Sequence, residues 1–427
     1  MKTVLIKNGH LVDPKNKING NFDILIEGDK VKEIALSIKA TADEIIDAKG
    51  CIVAPGFIDL HVHLREPGFE WKETVRSGCT AAVLGGYTTI CSMPNTNPVN
   101  DSRETTEYIL SRAKEAGLAR VLPIGSVSIG LKGKEMSPLS ELREAGCCAF
   151  SDDGEPVWDS GLMVKALQWS NMVGAVISCH EEDKNLSAGG VMNESALAAN
   201  MGLKGFPGVA EDVMVARDIE LSLYTKAPAH ICHVSTARSL ELIRRAKKDG
   251  IKITCEVTPH HLTLTEDAVK DYNTHAKMSP PLRTKKDIDA LIIGLQDGTI
   301  DAIASDHAPH EPDRKEIEFA KAAFGILGLQ TSLPLILEFV EKGVITLDRA
   351  IEVCTAGPAR CFNLPYGHLG IGATADIVVI DPKAEWEFTK DLNKSKSRNS
   401  PFFGRKLTGK ARDVLVAGKV VVQNGEI

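Results

Sequence analysis

Histidines and aspartates recur where short apolar segments of this chain end. His61 and His63 lie in the run FIDLHVHLR of residues 57–65 and are separated by one residue. In an extended strand, residues two apart project to the same face. We therefore expect both imidazoles to look into one site, close enough to share a metal ion.

Further residues of the same chemical types follow four later apolar segments. They are Asp153, His180, His233 and Asp306. A single buried histidine is more often a hydrogen-bonded core imidazole than a ligand, but this set repeats the same placement. Nitrogen and carboxylate donors in this combination suit zinc or a similar divalent cation. An oxygen ligand such as Asp153 can bridge two ions and leave a water molecule between them as nucleophile.

His230 has a different predicted role. It precedes His233 by three residues, so on a strand the two side chains face opposite sides. We predict that His230 is structural.

Eight strand-like segments alternate with helix-like segments through the middle of the chain. The segments end near His63, Pro94, Ser128, Asp153, His180, His233, His260 and Asp306. Eight such alternations predict a (β/α)8 barrel, in which functional residues gather at the carboxyl ends of the strands. The alternative is a doubly wound open sheet, but no G-x-G-x-x-G turn follows the first strand.

The two ends of the chain differ from the middle. Residues 1–54 and 365–427 consist of short β-type runs separated by turn dipeptides such as Asn8-Gly9 and Asn424-Gly425. Neither end has enough strands to bury a core alone. We predict one small β-sandwich built from both termini, with the catalytic barrel, residues 55–364, inserted between them.

Composition excludes several classes of protein. The 427 residues carry a net charge of −7, which argues against binding nucleic acid or membranes through bulk charge. No apolar run reaches the length of a membrane span. The 10 cysteines form no C-x-x-C pair, so we expect buried free thiols in a reducing compartment, the cytoplasm. The basic stretch 390–412 shows no pattern of aromatic residues suited to stacking on bases and is predicted to be a solvated connecting loop.

Two motifs carry a resemblance to a known family. DLHVHLREP (residues 59–67) and ASDHAPH (304–310) resemble the signatures of dihydroorotases, members of the amidohydrolase superfamily. Shorter similar runs are SMPNT (92–96), AFSDDG (149–154), HVST (233–236) and SRNSPF (397–402). The resemblance extends along nearly the whole chain and implies a metal-bearing barrel with a terminal β-sandwich.

The end of the fourth barrel strand separates related families. Hydantoinases, dihydropyrimidinases, allantoinases and shorter dihydroorotases have a carboxylated lysine there. This chain has Asp152 and Asp153, with no lysine between Cys147 and Val164. The sequence therefore resembles class I dihydroorotases, which use an aspartate.

The resemblance also implies a role for each matched residue. His61 and His63 would hold one metal, His180 and His233 a second, and Asp153 would bridge them, with one or two zinc ions bound in all. Asp306 would bind metal and transfer the proton between water and the ring nitrogen. The implied reaction is the reversible cyclisation of N-carbamoyl-L-aspartate to L-dihydroorotate in pyrimidine biosynthesis.

A second set of residues is implied in substrate binding. Arg65 lies two residues past His63, which predicts the same face, and its guanidinium matches a carboxylate. The other implied contacts are Asn95, Ser279, His310, Phe324 and Gly325. Ser279 stands where the family often has asparagine, and serine has a shorter reach.

Two other functions are alternatives to this one. A related cyclic amidase acting on hydantoins, dihydropyrimidines or allantoin would give Arg65, Asn95 and His310 no carboxylate to bind. A non-catalytic structural partner of aspartate transcarbamoylase would lack metal ligands, whereas all six are present here. The resemblance allows a homo-oligomer and a complex with aspartate transcarbamoylase, besides the small-molecule substrate.

Overall fold

The computed structural model describes residues 1–427 and begins with strands that belong to a terminal sheet. These strands are β1 (Thr3–Asp13), β2 (Ile18–Glu27), β3 (Lys30–Ala35), β4 (Glu44–Asp47) and β5 (Ile52–Pro55). β1 and β2 form an antiparallel hairpin, and β4 and β5 both pair with β1 in parallel.

The middle of the chain forms the predicted barrel of parallel strands. They are β6 (Phe57–Val62), β7 (Tyr87–Ser92), β8 (Arg120–Gly125), β9 (Ala149–Phe150), β10 (Ile177–Cys179), β13 (Ala229–Ile231), β14 (Ile253–Val257) and β15 (Ala302–Ile303). Between β10 and β13, the chain forms a separate two-stranded sheet of β11 (Met192–Asn193) and β12 (Gly205–Phe206). The barrel strands neighbour one another in chain order. The first and last meet where Val62 bridges His307 and the His63 N–H donates to the His307 carbonyl at 2.9 Å.

The barrel strands are short, and most end before the residues that the sequence singled out. β13 ends two residues before His233 and β15 ends three before Asp306, while His260 lies in a helical turn after β14. The reactive side chains thus lie mainly in the first turn beyond each strand, where the backbone is free to bend toward the barrel axis.

The helices surround the barrel and fill its connections. They are α1 (Val75–Leu84), α2 (Arg103–Ala116), α3 (Leu139–Ala145), α4 (Ser160–Met172), α5 (Lys184–Ser187), α6 (Ala196–Asn200), α7 (Val209–Thr225), α8 (Ala237–Lys248), α9 (Pro259–Thr263), α10 (Lys285–Asp297), α11 (Pro312–Lys315), α12 (Ser332–Glu341), α13 (Leu347–Glu352) and α14 (Ala356–Cys361). α8 shows why they form: Thr236 caps its first turn, and Leu240, Ile243 and Ala246 are buried at helical spacing. None of the helices is both long and apolar enough to cross a membrane.

The chain then returns to the terminal sheet. β16 (Ile377–Glu387), β17 (Lys406–Val416) and β18 (Lys419–Val422) complete an eight-stranded sheet in the order β18-β17-β16-β5-β1-β2-β3, with β4 on β1. Because β16 pairs antiparallel with β5, the two ends of the chain share one sheet. The predicted fold class, a (β/α)8 barrel with a small β-sandwich domain formed by both termini, is confirmed, and the strands of the terminal domain are hydrogen-bonded in one sheet.

The terminal sheet has its own core and also packs on the barrel. Ile377 and Val379 belong to a core of 15 buried residues within the sheet. Val378 and Ile380, on the opposite face, belong to the large core of the barrel. This alternation follows from the two-residue period of a strand. A buried ion pair between Asp376 and Arg120, at 2.6 Å, joins the two parts.

Candidate functional site

A cleft of about 420 Å³ opens at the carboxyl ends of the barrel strands. Every site residue predicted from the sequence lines it except His61, which is fully buried beneath. Residues that the sequence did not indicate complete the lining: Gly154, Glu182, Lys184, Ser187, Gly189, Gly190, Phe206, Met278 and Ala308.

His61 and His63 share one face, as the strand period predicts. Their ring centroids are 5.2 Å apart. The Nε2 atom of His61 lies 3.3 Å from one carboxylate oxygen of Asp153, and that of His63 lies 3.4 Å from the other. Both Nε2 atoms also approach Oδ1 of Asp306, at 3.4 and 3.2 Å.

His180 and His233 approach Asp153 from β10 and β13, farther round the barrel. His180 Nδ1 is 3.3 Å and His233 Nε2 is 3.5 Å from Asp153 Oδ1. The two nitrogens are 3.0 Å from each other. The carboxylate of Asp153 therefore lies at the centre of four imidazoles, and the six residues predicted as ligands form one cluster.

The donor atoms of this cluster fit a divalent metal. His61 Nε2 and Asp153 Oδ1 are buried without a hydrogen-bond partner. The donor atoms of His61, His233 and Asp306 lie within 4.8 Å of one another, as do those of Asp153, His180 and His233. Buried polar atoms without partners are costly, and a cation coordinated by them removes that cost.

The electrostatics of the cluster keep its two carboxylates, Asp153 and Asp306, ionised. Burial lowers the pKa of His180, but the adjacent carboxylates of Asp153 and Glu182 outweigh it and raise the pKa to about 10, so a metal bound by His180 would displace its proton. Burial raises the pKa of Asp306, but His61 and His63 hold it well below its usual range. Carboxylates held ionised among imidazoles are the state in which a metal binds them.

Two of the predicted ligands have unusual backbone conformations. The φ angles of His233 and Asp306 are 32° and 41°, in the left-handed region that side chains with a Cβ disfavour. Backbone of this kind persists only where the surrounding structure enforces it, and it is concentrated at functional sites.

Glu256 supports the cluster and was missed by the sequence analysis. Its Oε1 accepts from His61 Nδ1 at 3.0 Å, and its Oε2 lies 3.1 Å from His230 Nε2. Burial raises the pKa of Glu256, but its contacts with His230 and His61 prevail and lower it to about 2. A carboxylate on the far nitrogen of a ligand histidine fixes its tautomer and orientation. The available signal was a glutamate inside the otherwise uncharged strand ITCEV.

Asn95 also contacts a predicted ligand. Its Oδ1 accepts from His63 Nδ1 at 2.9 Å, and its Nδ2 donates to the Asp153 carbonyl at 3.2 Å. Asn95 lines the cleft, but both ends of its amide are engaged with the ligand cluster. In the same way, Glu182 contacts His180 Nε2 at 3.3 Å.

Arg65 lies in the cleft because of a turn in the backbone and not because of the alternation of side chains along a strand. Its φ of 63° ends the extended run after His63, because the chain turns there. The guanidinium is buried, donates to the Pro309 carbonyl at 3.3 Å, and lies 3.4 Å from His310 Nε2. Burial lowers its pKa to about 10, so it stays charged at neutral pH. It makes no salt bridge with a carboxylate, which leaves a cation facing the cleft.

The remaining predicted residues, with His310, form a second part of the cleft lining, here called the wall. Burial, with Arg65 nearby, lowers the pKa of His310, so its imidazole is neutral. Ser279, Phe324 and Gly325 also line the cleft. Gly325 has a φ of 150°, and a Cβ there would lie 2.5 Å from the Ala308 carbonyl oxygen. Glycine is therefore required at this close approach of two backbone segments.

Comparison with known structures gives the same architecture. An L-hydantoinase (dihydropyrimidinase) from Arthrobacter aurescens matches with a TM-score of 0.89 and 28% identity, over 100% of this chain and 97% of that one. A dihydropyrimidinase from Brevibacillus agri NCHU1002 matches with a TM-score of 0.85 and 25% identity, over 100% and 96%.

Sequence comparison gives a narrower family. Residues 50–239 match the model of the Dihydro-orotase-like family. A protein named dihydroorotase from Geotalea daltonii is 49% identical over 98% of this chain and 99% of its own length. Another, from Acetivibrio thermocellus, is 50% identical over 98% and 99%. With this identity along almost its full length, the chain belongs to the dihydroorotase family of the amidohydrolase superfamily.

Proposed function

We propose that this protein is a zinc-dependent dihydroorotase. It interconverts N-carbamoyl-L-aspartate and L-dihydroorotate plus water in the biosynthesis of pyrimidines. The observation that carries the proposal is a single cleft in which a histidine–aspartate cluster faces an arginine that has no carboxylate partner. A metal cluster alone serves many hydrolases, whereas the unpaired cation suits a cyclic amide that also bears a carboxylate.

One or two zinc ions would be held by the six clustered residues. His61 and His63 would bind one ion and His180 and His233 the second, with Asp153 between them. When bound, zinc polarises the ring carbonyl and lowers the pKa of water, so that hydroxide is available near neutral pH.

Asp306 is the residue we assign to proton transfer. Its carboxylate is buried, ionised and 3.2 Å from His63 Nε2, so it lies at the reacting centre. In ring opening, Asp306 accepts the proton of the attacking water and delivers it to the departing ring nitrogen. Ring closure reverses these steps.

The wall orients the substrate. Arg65 binds the carboxylate of dihydroorotate, assisted by the neutral imidazole of His310, which can donate one hydrogen bond. Ser279 and the backbone at Phe324–Gly325 contact the ring. We propose that Asn95 acts on the substrate indirectly, because its Oδ1 accepts a hydrogen bond from His63 Nδ1 and so fixes the orientation of that imidazole.

A related cyclic amidase of the hydantoinase or dihydropyrimidinase type is the second candidate, favoured by the similarity to solved structures of those enzymes. Arg65 distinguishes the two, since a neutral ring leaves a buried cation without a partner. A purely structural partner of aspartate transcarbamoylase would have no need of the assembled ligand cluster.

The decisive experiment combines metal analysis with turnover of L-dihydroorotate and dihydrouracil by the purified protein. We expect bound zinc and turnover of dihydroorotate. Turnover of dihydrouracil without dihydroorotate would refute the assignment in favour of the second candidate.

The proposal extends to organisation and location. We divide the chain into residues 1–54, 55–364 and 365–427, and assign it to the cytoplasm, which the 10 buried free cysteines support. Size-exclusion chromatography, with and without aspartate transcarbamoylase, would test self-association and that complex.

A further inference from the structure

The segment between β16 and β17 reaches from the terminal sheet to the rim of the cleft. Its side chains alternate in burial: Ser395, Ser397 and Asn399 are buried, whereas Lys396 and Arg398 are exposed. Lys396 and Arg398 are thus solvated, as predicted for the stretch 390–412, and the polar residues between them are turned inward. The prediction of a loop is wrong for residues 406–412, which belong to β17.

Asn399 joins both backbone segments of the substrate wall. Its Nδ2 donates to the carbonyl oxygens of Ala308 and Gly325 at 2.8 and 3.0 Å. Its Oδ1 accepts from the His310 N–H at 3.0 Å. Asn399 is 1% exposed, so all of these hydrogen bonds are shielded from water.

Lys315 reaches the same carbonyl from the other side. Its Nζ donates to Gly325 O at 3.1 Å and to Ala323 O at 2.7 Å. Lys315 is 1% exposed and forms no salt bridge with a carboxylate. Burial, reinforced by Lys277, lowers its pKa to about 7. Burying an amine without a counter-ion is unfavourable for folding. A role for Lys315 in positioning the Ala323–Gly325 backbone would explain why this cost is retained.

The wall needs this support because its backbone is irregular. The Gly325 carbonyl accepts hydrogen bonds from both Asn399 and Lys315. The φ angle of Gly325 is 150°, which occurs in neither helices nor strands. Backbone hydrogen bonds anchor its flanks, from Gly325 N to Lys277 O, from Ala308 N to Ile326 O and from Leu327 N to Asn399 O, at 2.9, 3.0 and 3.0 Å.

We propose that Asn399 and Lys315 are positioning residues for substrate recognition, which together fix the backbone that carries His310 and Phe324–Gly325. Neither touches the metal ligands, so they act on substrate affinity and leave the reacting centre alone. This inference rests on the proposed dihydroorotase function and adds a role for a segment that lies outside the barrel.

Asn399→Asp tests it with little change in volume. The variant keeps the acceptor for the His310 N–H but loses both donations and places a charge beside two carbonyl oxygens. We expect KM for dihydroorotate to rise about 5- to 50-fold, with kcat and zinc content unchanged, because the lost hydrogen bonds act on binding. The dissociation constant of orotate, measured calorimetrically, should rise in parallel.

Asn100→Asp is the matched control. Asn100 is also buried, and its Nδ2 donates to the Ile124 carbonyl at 2.8 Å, away from the wall. This variant should lose stability without a change in KM. Equal KM values for the two Asp variants would overturn the inference. So would a fall in zinc content and kcat that accompanies the rise in KM of Asn399→Asp.

Lys315→Met provides an independent variant that decides the matter if Asn399→Asp does not fold. It should raise KM in the same way, and in the double variant the two effects should combine to less than their product, because both donors serve one carbonyl. An unchanged KM in Lys315→Met contradicts the inference. Absence of dihydroorotate turnover in the wild-type protein would instead contradict the proposed function.

Discussion

The two sides of the cleft are built in different ways. The side of the predicted metal ligands consists of side chains on or directly after β6, or in the first turns after β9, β10, β13 and β15, and the pairing of these strands brings them together. The substrate side consists of loop backbone between His310 and Gly325, held by side chains from other parts of the chain. Chemistry that needs fixed distances is thus placed on the rigid scaffold, and recognition is placed on loops, as is general for barrel enzymes.

The largest effect should come from Asp306, on the rigid side. Asp306→Asn removes the group that accepts and returns the proton, and we expect kcat to fall about 10²- to 10⁴-fold. Single-turnover kinetics with metal analysis is the measurement. Near-normal turnover would show that another residue transfers the proton, and that catalysis is not confined to the side of the cleft that carries Asp306.

Arg65 tests the substrate side. Arg65→Ala removes a charge-assisted contact, which should weaken binding of the transition state by about 2–3 kcal/mol. The value of kcat/KM for dihydroorotate should therefore fall roughly 30- to 150-fold. Zinc content should not change. Arg65→Lys, which keeps the charge but not the planar fork, should recover only part of the loss. Loss of zinc in either variant would place Arg65 on the metal side.

Glu256 sharpens the metal side, because it touches ligands but not the cleft. Glu256→Gln keeps the shape and weakens the acceptor for His61 and His230, so zinc should bind about 10- to 100-fold more weakly. Competition with a chelator measures this. Asp376→Asn, at the buried ion pair with Arg120, is the control and should destabilise the fold without altering zinc affinity.

Lys315 is expected to affect stability as well as KM. The ordinary lysine pKa of 10.5 applies in the unfolded chain, whereas the folded value is about 7. Between these values the unfolded state binds more protons, so stability rises with pH, by at most about 1.4 kcal/mol per pH unit. This contribution should be absent in Lys315→Met.

Urea unfolding at pH 7, 8 and 9 would measure the effect of Lys315. The stability of Lys315→Met relative to wild type should fall as the pH rises. Lys286→Met, which changes an exposed lysine, should run parallel to wild type. A parallel curve for Lys315→Met would show that the lysine is accommodated without loss of its proton.

The sequence was most informative where local periodicity controls geometry. The period of β6 places His61 and His63 on one face, and eight repeats of strand and helix predict that other strand ends meet them. It was less informative where the backbone leaves regular structure. Arg65 reaches the cleft through a left-handed turn, and Asn95 contacts His63 as well as lining the cleft. Neither follows from spacing.

By itself, the sequence determined the barrel, the β-structure shared by both termini and the residue types of the predicted ligands, because these depend on patterns repeated within short segments. Only the tertiary structure decided which remote residues support the site. Glu256 lies 195 residues from His61, and Asn399 lies 74 residues from Gly325. Contacts over such separations depend on how the whole chain packs and leave no periodic signal. A buried lysine or asparagine shows its role only when its partners are known.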